Sequence, residues 1–477
     1  MRIPSSPATS TIWERSPADP AAVEHALAAS VHRVFWLDDA GDAPAHPALT
    51  ADTRADLAVV GGGYLGLWSA MQAKQRDPGA RVVLLEAKRV GWAASGRNGG
   101  FVEASLTHGD ANGEARWPDE MDTLRRLGDE NLDEIERQVA RLGLDCGFER
   151  TGSIDVAVEE HEKEWLEPQL PGYLEADQVR ALVDSPTYLA GRWHRDSTAL
   201  VQPAKLAKEL ARAAAELGVE VFEGSPVTAL SAERRTGPVA LATPGGRVTA
   251  RRVVLATNAF PSLLARYRLH TVPVYDYVLM TEPLSAEQKR SIGWEGRQGV
   301  ADLANQFHYY RLTADDRILF GGYDAIYHYG RRVRAAYEER PETFRKLASH
   351  FLTTFPQLEG IRFSHRWAGA IDTSSRFCAF FGLDLGGRVA TAAGFTGLGV
   401  GATHFAAQVL LDRLAGLATE RTELEMVRRM PLPFPPEPFA FAGVQATRRA
   451  MDRADHRGGR RGMLLRALDA VGMGFDS

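Results

Sequence analysis

The sequence predicts an α/β and α+β architecture, in which an α/β domain assembled from separated stretches is interleaved with a second domain. Three observations predict it. The segment 55–87 reads as one βαβ unit, the block from Pro203 to Thr257 reads as a helix followed by short strands, and 389–418 reads as strand, glycine loop, helix. In the first block the apolar run Leu57–Val60 meets a glycine turn. A helical pattern follows with Leu67, Ala70 and Met71 on one side, and Asp77-Pro78-Gly79 stops it before the β-branched run Val82–Leu85. In the second, PAKLAKELARAAAELG places Pro203 at the first helical turn and Gly218 past the end, with Leu206, Leu210 and Leu217 on a shared stripe. Strand-like runs follow at 219–222, 227–231, 239–242 and 248–251, with Gly245-Gly246 as a hairpin turn, then a buried strand over 253–257.

Two stretches of different character separate these blocks. Residues 101–200 hold helices around 129–142, and residues 272–365 hold strands dense in aromatics. The division this predicts is an arm over 1–51, with one helical stretch around 20–34, and an α/β domain from 52–110, 198–272 and 362–420. The second domain takes 111–197 and 273–361, and a tail of 421–477 ends in an arginine-rich helix. The 477 residues amount to about three units of roughly 150 residues each. Hydrophobic residues at 44% and charged residues at 25% exclude a disordered, fibrous or coiled-coil chain. A net charge of −5 gives no global attraction to nucleic acid. Two cysteines, Cys146 and Cys378, cannot build a disulfide framework or a four-ligand zinc site, and fit a reducing compartment. The first twenty residues contain no apolar run that could serve as a signal-peptide core, and the apolar stretch 389–418 is interrupted by His404 and Asp412-Arg413. No membrane span is expected, and the chain reads as cytoplasmic.

Gly61, Gly63 and Gly66 form GxGxxG between a strand and a helix. The first permits the tight turn, the second lets backbone approach a pyrophosphate, and the third lets helix and strand pack closely. The helix start offers N–H groups and partial positive charge to phosphate. Glu86, followed by Ala87, ends the next strand where a carboxylate can accept hydrogen bonds from ribose hydroxyls. This much does not choose between FAD and NAD. Ala93-Ala94-Ser95-Gly96-Arg97-Asn98-Gly99-Gly100 is a loop of small residues, suited to lie against a flat ring while backbone donors and Asn98 reach its polar edge. Far downstream, Gly394-Phe395-Thr396-Gly397-Leu398-Gly399-Val400-Gly401 precedes a second helix, whose start can stabilise negative charge on a reduced ring. A single pyrophosphate site does not require this second element, and a flavin does.

Together, GGGYLGLWSA, Glu86, ASGRNGG, the ATN strand end and GFTGLGVG resemble the D-amino acid oxidase family of FAD-dependent oxidoreductases. The nearest branch is that of γ-glutamylputrescine oxidase-like and glycine or sarcosine oxidase-like amine oxidases, and the resemblance covers most of 52–420. It implies a Rossmann-like FAD-binding domain interleaved with a substrate domain built on a large mixed β-sheet. It also implies that Val227 touches adenine through its backbone, that Thr257-Asn258 lies close to the cofactor, and that Thr396, Gly397, Leu398 and Gly399 face the flavin ring. Sarcosine oxidase-like relatives carry a flavin-linked cysteine just after a segment similar to Trp367-Ala-Gly-Ala; here Ile371 or Asp372 stands near that position, so non-covalent FAD is expected. Those relatives also place a lysine over the flavin on a strand resembling DRILFGGY, where this chain has Arg317 and Leu319.

Flavin-dependent amine oxidation depends mainly on positioning the substrate and excluding solvent. Asn305-Gln306-Phe307-His308-Tyr309-Tyr310-Arg311 is the leading substrate-side segment, with Phe307, Tyr309 and Arg311 on one strand face and His308 and Tyr310 on the other. One face can line a pocket while the other packs, and Arg311 could grip a substrate carboxylate bidentately. Tyr275 and Tyr277 share a face of the strand PVYDYVLMTEP, which the family places beside the flavin; Trp367 is close to the ring by the same resemblance. Tyr309, Arg311, Tyr277, Trp367 and His308 are therefore the candidate catalytic residues. His365 and His404 read as packing or surface residues, and no metal site is expected. The basic run 447–461 reads as a solvated or inter-domain helix. The expected function is oxidation of an amine or amino acid to an imine and then a carbonyl, with dioxygen or another electron acceptor reoxidising the flavin. A dehydrogenase passing electrons to a quinone or carrier protein, and a non-catalytic flavoprotein subunit, are the alternatives. Substrate identity and oligomeric state are not legible.

Overall fold

The computed structural model describes residues 10–42, 44–232, 236–470 and 472–473. Among them the strands form an eight-stranded sheet, a ten-stranded sheet and a two-stranded ribbon. The eight-stranded sheet is built around Thr53–Val60, flanked by Val82–Leu85 on one side and Gly246–Leu255 on the other, all parallel. Ala58, Val59, Val83 and Leu84 are buried, as expected of strands covered on both faces. The helices Tyr64–Arg76, Pro203–Glu216 and Gly399–Ala415 pack together on one face of this sheet through Leu67, Met71, Leu206, Leu210, Ala406 and Leu410. In Pro203–Glu216, Pro203 sits in the first turn, the Gln202 side chain accepts from Lys205 N, and Gly218 follows at φ +89°.

Two expected strands, 248–251 and 253–257, are one. Gly246–Leu255 runs unbroken beside Thr53–Val60 while changing partner on its other edge, from Val239–Thr243 to Val389–Ala393. The change falls at Arg251 and Arg252, both exposed, which is why the pattern reads as a break. Thr257 lies beyond the strand end, and the strand expected from Val227 begins at Ala229.

In the ten-stranded sheet, Thr271–Thr281 is paired on one side with Phe363–Ser374 and on the other with Ile318–Gly322. Then come His308–Leu312, Gly299–Asp302, Ser153–Ala157, Ala190–His194 and Tyr173–Glu175. Phe363–Ser374 thus belongs to this sheet, although the sequence division put 362–420 with the α/β domain. Helix Met121–Leu142 also departs from that division: Leu124, Leu132 and Ile135 bury against Val400, Ala402 and the rest of the α/β core. The sequence placed a helix around 129–142 but not which sheet it covers.

The arm is woven into both layers. Trp13 packs on His308 and His350, Val31-His32 pairs with His365 and Arg366, and Phe35-Trp36 inserts between the sheet and helix Pro203–Glu216. The helical stretch expected around 20–34 ends at Leu27. The tail helix spans Phe439–Asp455, so Arg457, Arg460 and Arg461 lie beyond it. Asp455 fastens the tail to the sheet domain, accepting from Asn305 N at 3.0 Å, Asn305 Nδ2 at 2.6 Å and Gln306 N at 3.2 Å. No helix among the described residues is long and apolar enough to cross a membrane.

Candidate active site

The glycine turn is sterically forced. A Cβ at Gly61 (φ +113°) would stand 2.4 Å from Ala256 O, and one at Gly66 would stand 1.9 Å from Gly61 O, so strand, turn and helix close only without side chains there. Gly63 caps the helix, and a Cβ on it would meet Ser95 Oγ at 2.9 Å. That hydroxyl accepts from Tyr64 N at 3.0 Å, tying the 94–100 loop to the helix start. The buried Glu86 carboxylate accepts from Gly62 N at 2.7 Å, Lys88 N at 2.8 Å and Trp92 Nε1 at 2.9 Å. A carboxylate offers about four acceptor positions, so capacity remains for a hydroxyl. Ala87 beside it is exposed, and Val227 is half-buried against the core under that strand.

The 94–100 loop bridges the two sheets. Gly96 is required because a Cβ would lie 2.2 Å from Gly91 O. Arg97 pairs with Glu338 at 2.5 Å and donates to Ala368 O at 3.1 Å, while Arg97 O accepts from Trp367 Nε1 at 2.9 Å. Asn98 does not reach outward as the sequence suggested. Its amide donates to Ala94 O and Ser95 O and its oxygen accepts from Gly100 N, so it holds the loop's own shape. At the second glycine loop, Asp372 Oδ2 accepts from Gly394 N at 2.5 Å, and Ser374 N donates to Thr396 Oγ1 at 3.2 Å. Burial pushes the Asp372 carboxyl up to about 7, with hydrogen bonds from Gly394, Phe395 and Asn258 opposing it. Asn258, next to Thr257, thus converges on the same corner as Thr396. Gly397 (φ +98°) is exposed, Leu398 caps the helix that begins at Gly399, and burial pushes the nearby His108 imidazole down to about 4.

One row of residues crosses the large sheet on the side facing these loops. By register, Trp367, Val278, Gly321, Tyr309, Ala301 and Asp155 stand opposite one another in succession. Trp367 and Val278 pack with Trp36 and Leu319. Gly321 has no side chain because the Tyr309 ring lies over it, a Cβ there falling 2.8 Å from Tyr309 Cζ; the same ring bars a side chain at Gly99. The Tyr309 hydroxyl donates to Asp276 Oδ2. Burial raises the Asp276 carboxyl to about 6 against the pull of that hydrogen bond, and burial holds the Tyr309 hydroxyl well above its ordinary range. Both side chains keep part of their surface accessible.

The other sequence candidates lie elsewhere. Arg311 shares the Tyr309 face and is buried; its Nη1 donates to Val201 O at 2.6 Å and Gly100 O at 3.4 Å while Nε has no hydrogen-bond partner, and burial lowers its guanidinium to about 10. Through Nη1 it ties the large sheet to the 99–100 and 201 backbone of the other domain. Tyr277 and His308 point to the opposite side of the sheet. Tyr277 donates to Tyr337 O at 2.7 Å beneath helix Pro341–Thr354, and His308 bonds Asp302 at 2.7 Å and His350 at 2.9 Å. Asp276 is the residue sequence reasoning missed; its signal was one acidic side chain inside an otherwise uncharged eleven-residue strand. Among the described residues no group of three or more His, Cys, Asp or Glu is placed to hold a metal ion.

A Rossmann-type turn, a strand-end carboxylate, two glycine loops and a facing mixed sheet define a dinucleotide-dependent oxidoreductase of the flavin class. Residues 56–413 match the family model described as FAD dependent oxidoreductase, DAO, and the chain belongs to that family. It is 33% identical over 405 residues to the gamma-glutamylputrescine oxidoreductase of Escherichia coli K12, covering 81% of this chain and 89% of that protein. Among solved structures, glycine oxidase from Geobacillus kaustophilus aligns with TM-score 0.63 at 20% identity, covering 79% of this chain and all of that one. L-proline dehydrogenase from P. horikoshii aligns with TM-score 0.64 at 17% identity, covering 77% and 95%. At these identities the two structures attest the shared fold. The residues present fit FAD, since the glycine turn excludes side chains, its helix start presents N–H groups, and Glu86 retains acceptor capacity at the strand end.

Proposed function

We propose that this chain oxidises a C–N bond of an amine or amino acid, and that Asp276 and Tyr309 serve the substrate. The name of the Escherichia coli relative and the titles of the glycine oxidase and proline dehydrogenase structures support a substrate of this class. The observation that carries the reading is the Tyr309–Asp276 hydrogen bond on the half-buried sheet face against which the 94–100 loop packs. FAD, held non-covalently by the Gly61–Gly66 turn, Glu86 and the 94–100 and 394–399 loops, supplies the two-electron acceptor. Both cysteines are buried, and neither stands at position 371 or 372.

Amines meet the protein mostly as ammonium ions, whose nitrogen lone pair is occupied. Asp276, titrating near 6, is a carboxylate at neutral pH and takes that proton, while the Tyr309 hydroxyl fixes its orientation. Tyr309 and the 94–100 loop packed on it border the face and limit water while the α-carbon loses its hydride; water then hydrolyses the released imine to a carbonyl. The electrons pass on to dioxygen, giving hydrogen peroxide. Leu319, apolar where oxidase relatives are expected to place a lysine, favours a second acceptor, a quinone or carrier protein. Anaerobic mixing with a panel of amines and amino acids, followed by flavin absorbance, tests the reading. Bleaching by amines is expected, and prompt recovery in air identifies the oxidase form. FAD that binds but is bleached by no compound on the panel overturns it.

A further inference from the structure

We propose that a cavity at the edge of the large sheet, under the tail helix, binds a planar aromatic ring carrying an anionic group such as a carboxylate. The inference goes beyond the amine-oxidation reading and does not rest on it. The cavity has a volume of about 540 Å³, within the usual range of small-molecule sites. Three elements enclose it: the short strand Ile326–Tyr327 with the residues after it, the turn Ala335–Tyr337, and the helix Phe439–Asp455. Tyr275 shows that it stands apart from the cleft of Asp276 and Tyr309. The Tyr275 ring meets His328 at 5.5 Å and Tyr337 at 5.8 Å, and it lies on the face of Thr271–Thr281 opposite Asp276.

The rings of the lining suit a flat ligand. His328 stacks on Tyr337 with centroids 3.8 Å apart and planes 4° from parallel. Tyr327 and Tyr329 both meet the Phe441 ring, at 6.2 and 5.8 Å, and Tyr329 stays exposed. Such rings offer a planar guest both stacking and edge contacts. Phe441, Gln445 and Arg448 follow one another at i, i+4 and i+7, so a single face of the tail helix closes the cavity. Gln445 Nε2 donates to Tyr327 O at 3.1 Å and fixes that face against the strand.

The polar groups select an anion. Among the described residues no Asp or Glu lines the cavity, and neighbouring Glu437 already accepts from the Tyr327 hydroxyl, Gly330 N and Phe441 N. Two guanidiniums do line it. Arg340 is held by Thr343 at 2.9 Å and Glu342 at 3.1 Å. Arg448 makes no ion pair among the described residues; its hydrogen bond is a long one, 3.4 Å from Nε to Gln445 Oε1. Both of its Nη groups are thus available as a fork for a carboxylate. His328 Nε2 is buried with no hydrogen-bond partner, a costly state that an oxygen atom of a ligand relieves. An aromatic carboxylate satisfies rings, fork and imidazole together, whereas a neutral ring leaves Arg448 unmatched.

The test uses the FAD-loaded protein with 2-naphthoate as the probe, titrated by calorimetry while the flavin absorbance is recorded. One-to-one binding with an unchanged flavin spectrum is expected. Uncharged 2-naphthamide, and cyclohexanecarboxylate with its charge but no flat ring, are each expected to bind about 10-fold more weakly. Arg448→Gln is expected to lower the affinity for 2-naphthoate about 10-fold and leave that for 2-naphthamide unchanged. Phe441→Ala is expected to weaken both aromatic probes about 3- to 10-fold. Failure of 2-naphthoate to bind, or an affinity that Arg448→Gln does not alter, overturns the site. A flavin spectrum that shifts in step with binding overturns it as well, by placing the probe in the cleft.

Discussion

The strand His308–Leu312 carries a tyrosine and a basic side chain on each face, and the two faces have opposite fates. On the helix side, His308 is closed at both nitrogens by Asp302 and His350, and Tyr310 shares a hydrogen bond of 2.7 Å with Tyr188. Every partner there is itself buried. On the cleft side, Arg311 donates through Nη1 to backbone carbonyls and leaves Nε without a partner, while Tyr309 holds a carboxylate that remains partly accessible. Aromatic and ionisable content therefore does not separate a site from a core. The separation lies in whether a polar group's partners are all fixed, or whether a raised carboxyl still has surface to offer.

Removing the carboxylate tests this most severely. Asp276→Asn keeps the shape and a hydrogen-bonding partner for Tyr309 but takes away the proton acceptor. Flavin reduction by amine is expected to slow about 100- to 1000-fold, in the range of general acid–base contributions, with the melting temperature nearly unchanged. The pH profile carries the sign. The carboxyl titrates near 6 in the folded chain, so the wild-type rate rises as pH increases through about 6, and the variant lacks that limb. A variant as fast as wild type with the limb intact would assign the proton to another group.

On the helix side the loss should appear as stability instead. His308→Leu leaves Asp302 buried with only a long contact from Ala304 N at 3.4 Å. Stranding a buried carboxylate costs about 3 kcal/mol, to be read as a lowered unfolding midpoint in denaturant. The melting temperature of Asp302→Asn in the same background tells whether the stranded charge is responsible: it should recover part of the loss.

What was legible in the sequence follows the same division between local and non-local information. The turn at Gly61, Gly63 and Gly66 and the carboxylate at Glu86 are written in one stretch of chain, and the backbone conformations they require are there. Alternation along HYYR showed that the strand has two faces, but which one meets the cleft depends on Phe101 and Gly99 from another element. Tyr275 and Tyr277 drew attention to their own side of Thr271–Thr281, and Asp276 between them was the residue turned toward the loops. Asp155 and His194 come together from two strands, a pairing no spacing in the chain encodes.

The smallest and sharpest comparison uses the same chemical change at adjacent residues. Tyr310→Phe removes one hydroxyl and strands that of Tyr188, at about 1 kcal/mol or a few degrees of melting temperature. Amine-driven flavin reduction should not respond, because that hydroxyl touches nothing on the cleft side. Tyr309→Phe removes an identical atom one residue away and should do the reverse. Its hydroxyl lowers the Asp276 carboxyl, so its loss moves the acid limb of the rate profile above 6 and slows reduction about tenfold near neutrality. If instead both variants lose stability alike and neither shifts the profile, the two faces are equivalent packing and Asp276 is a structural carboxylate. A shift confined to Tyr309→Phe ties the proton to the cleft face through a single hydrogen bond, because the neighbouring substitution controls for everything else the change does to the strand.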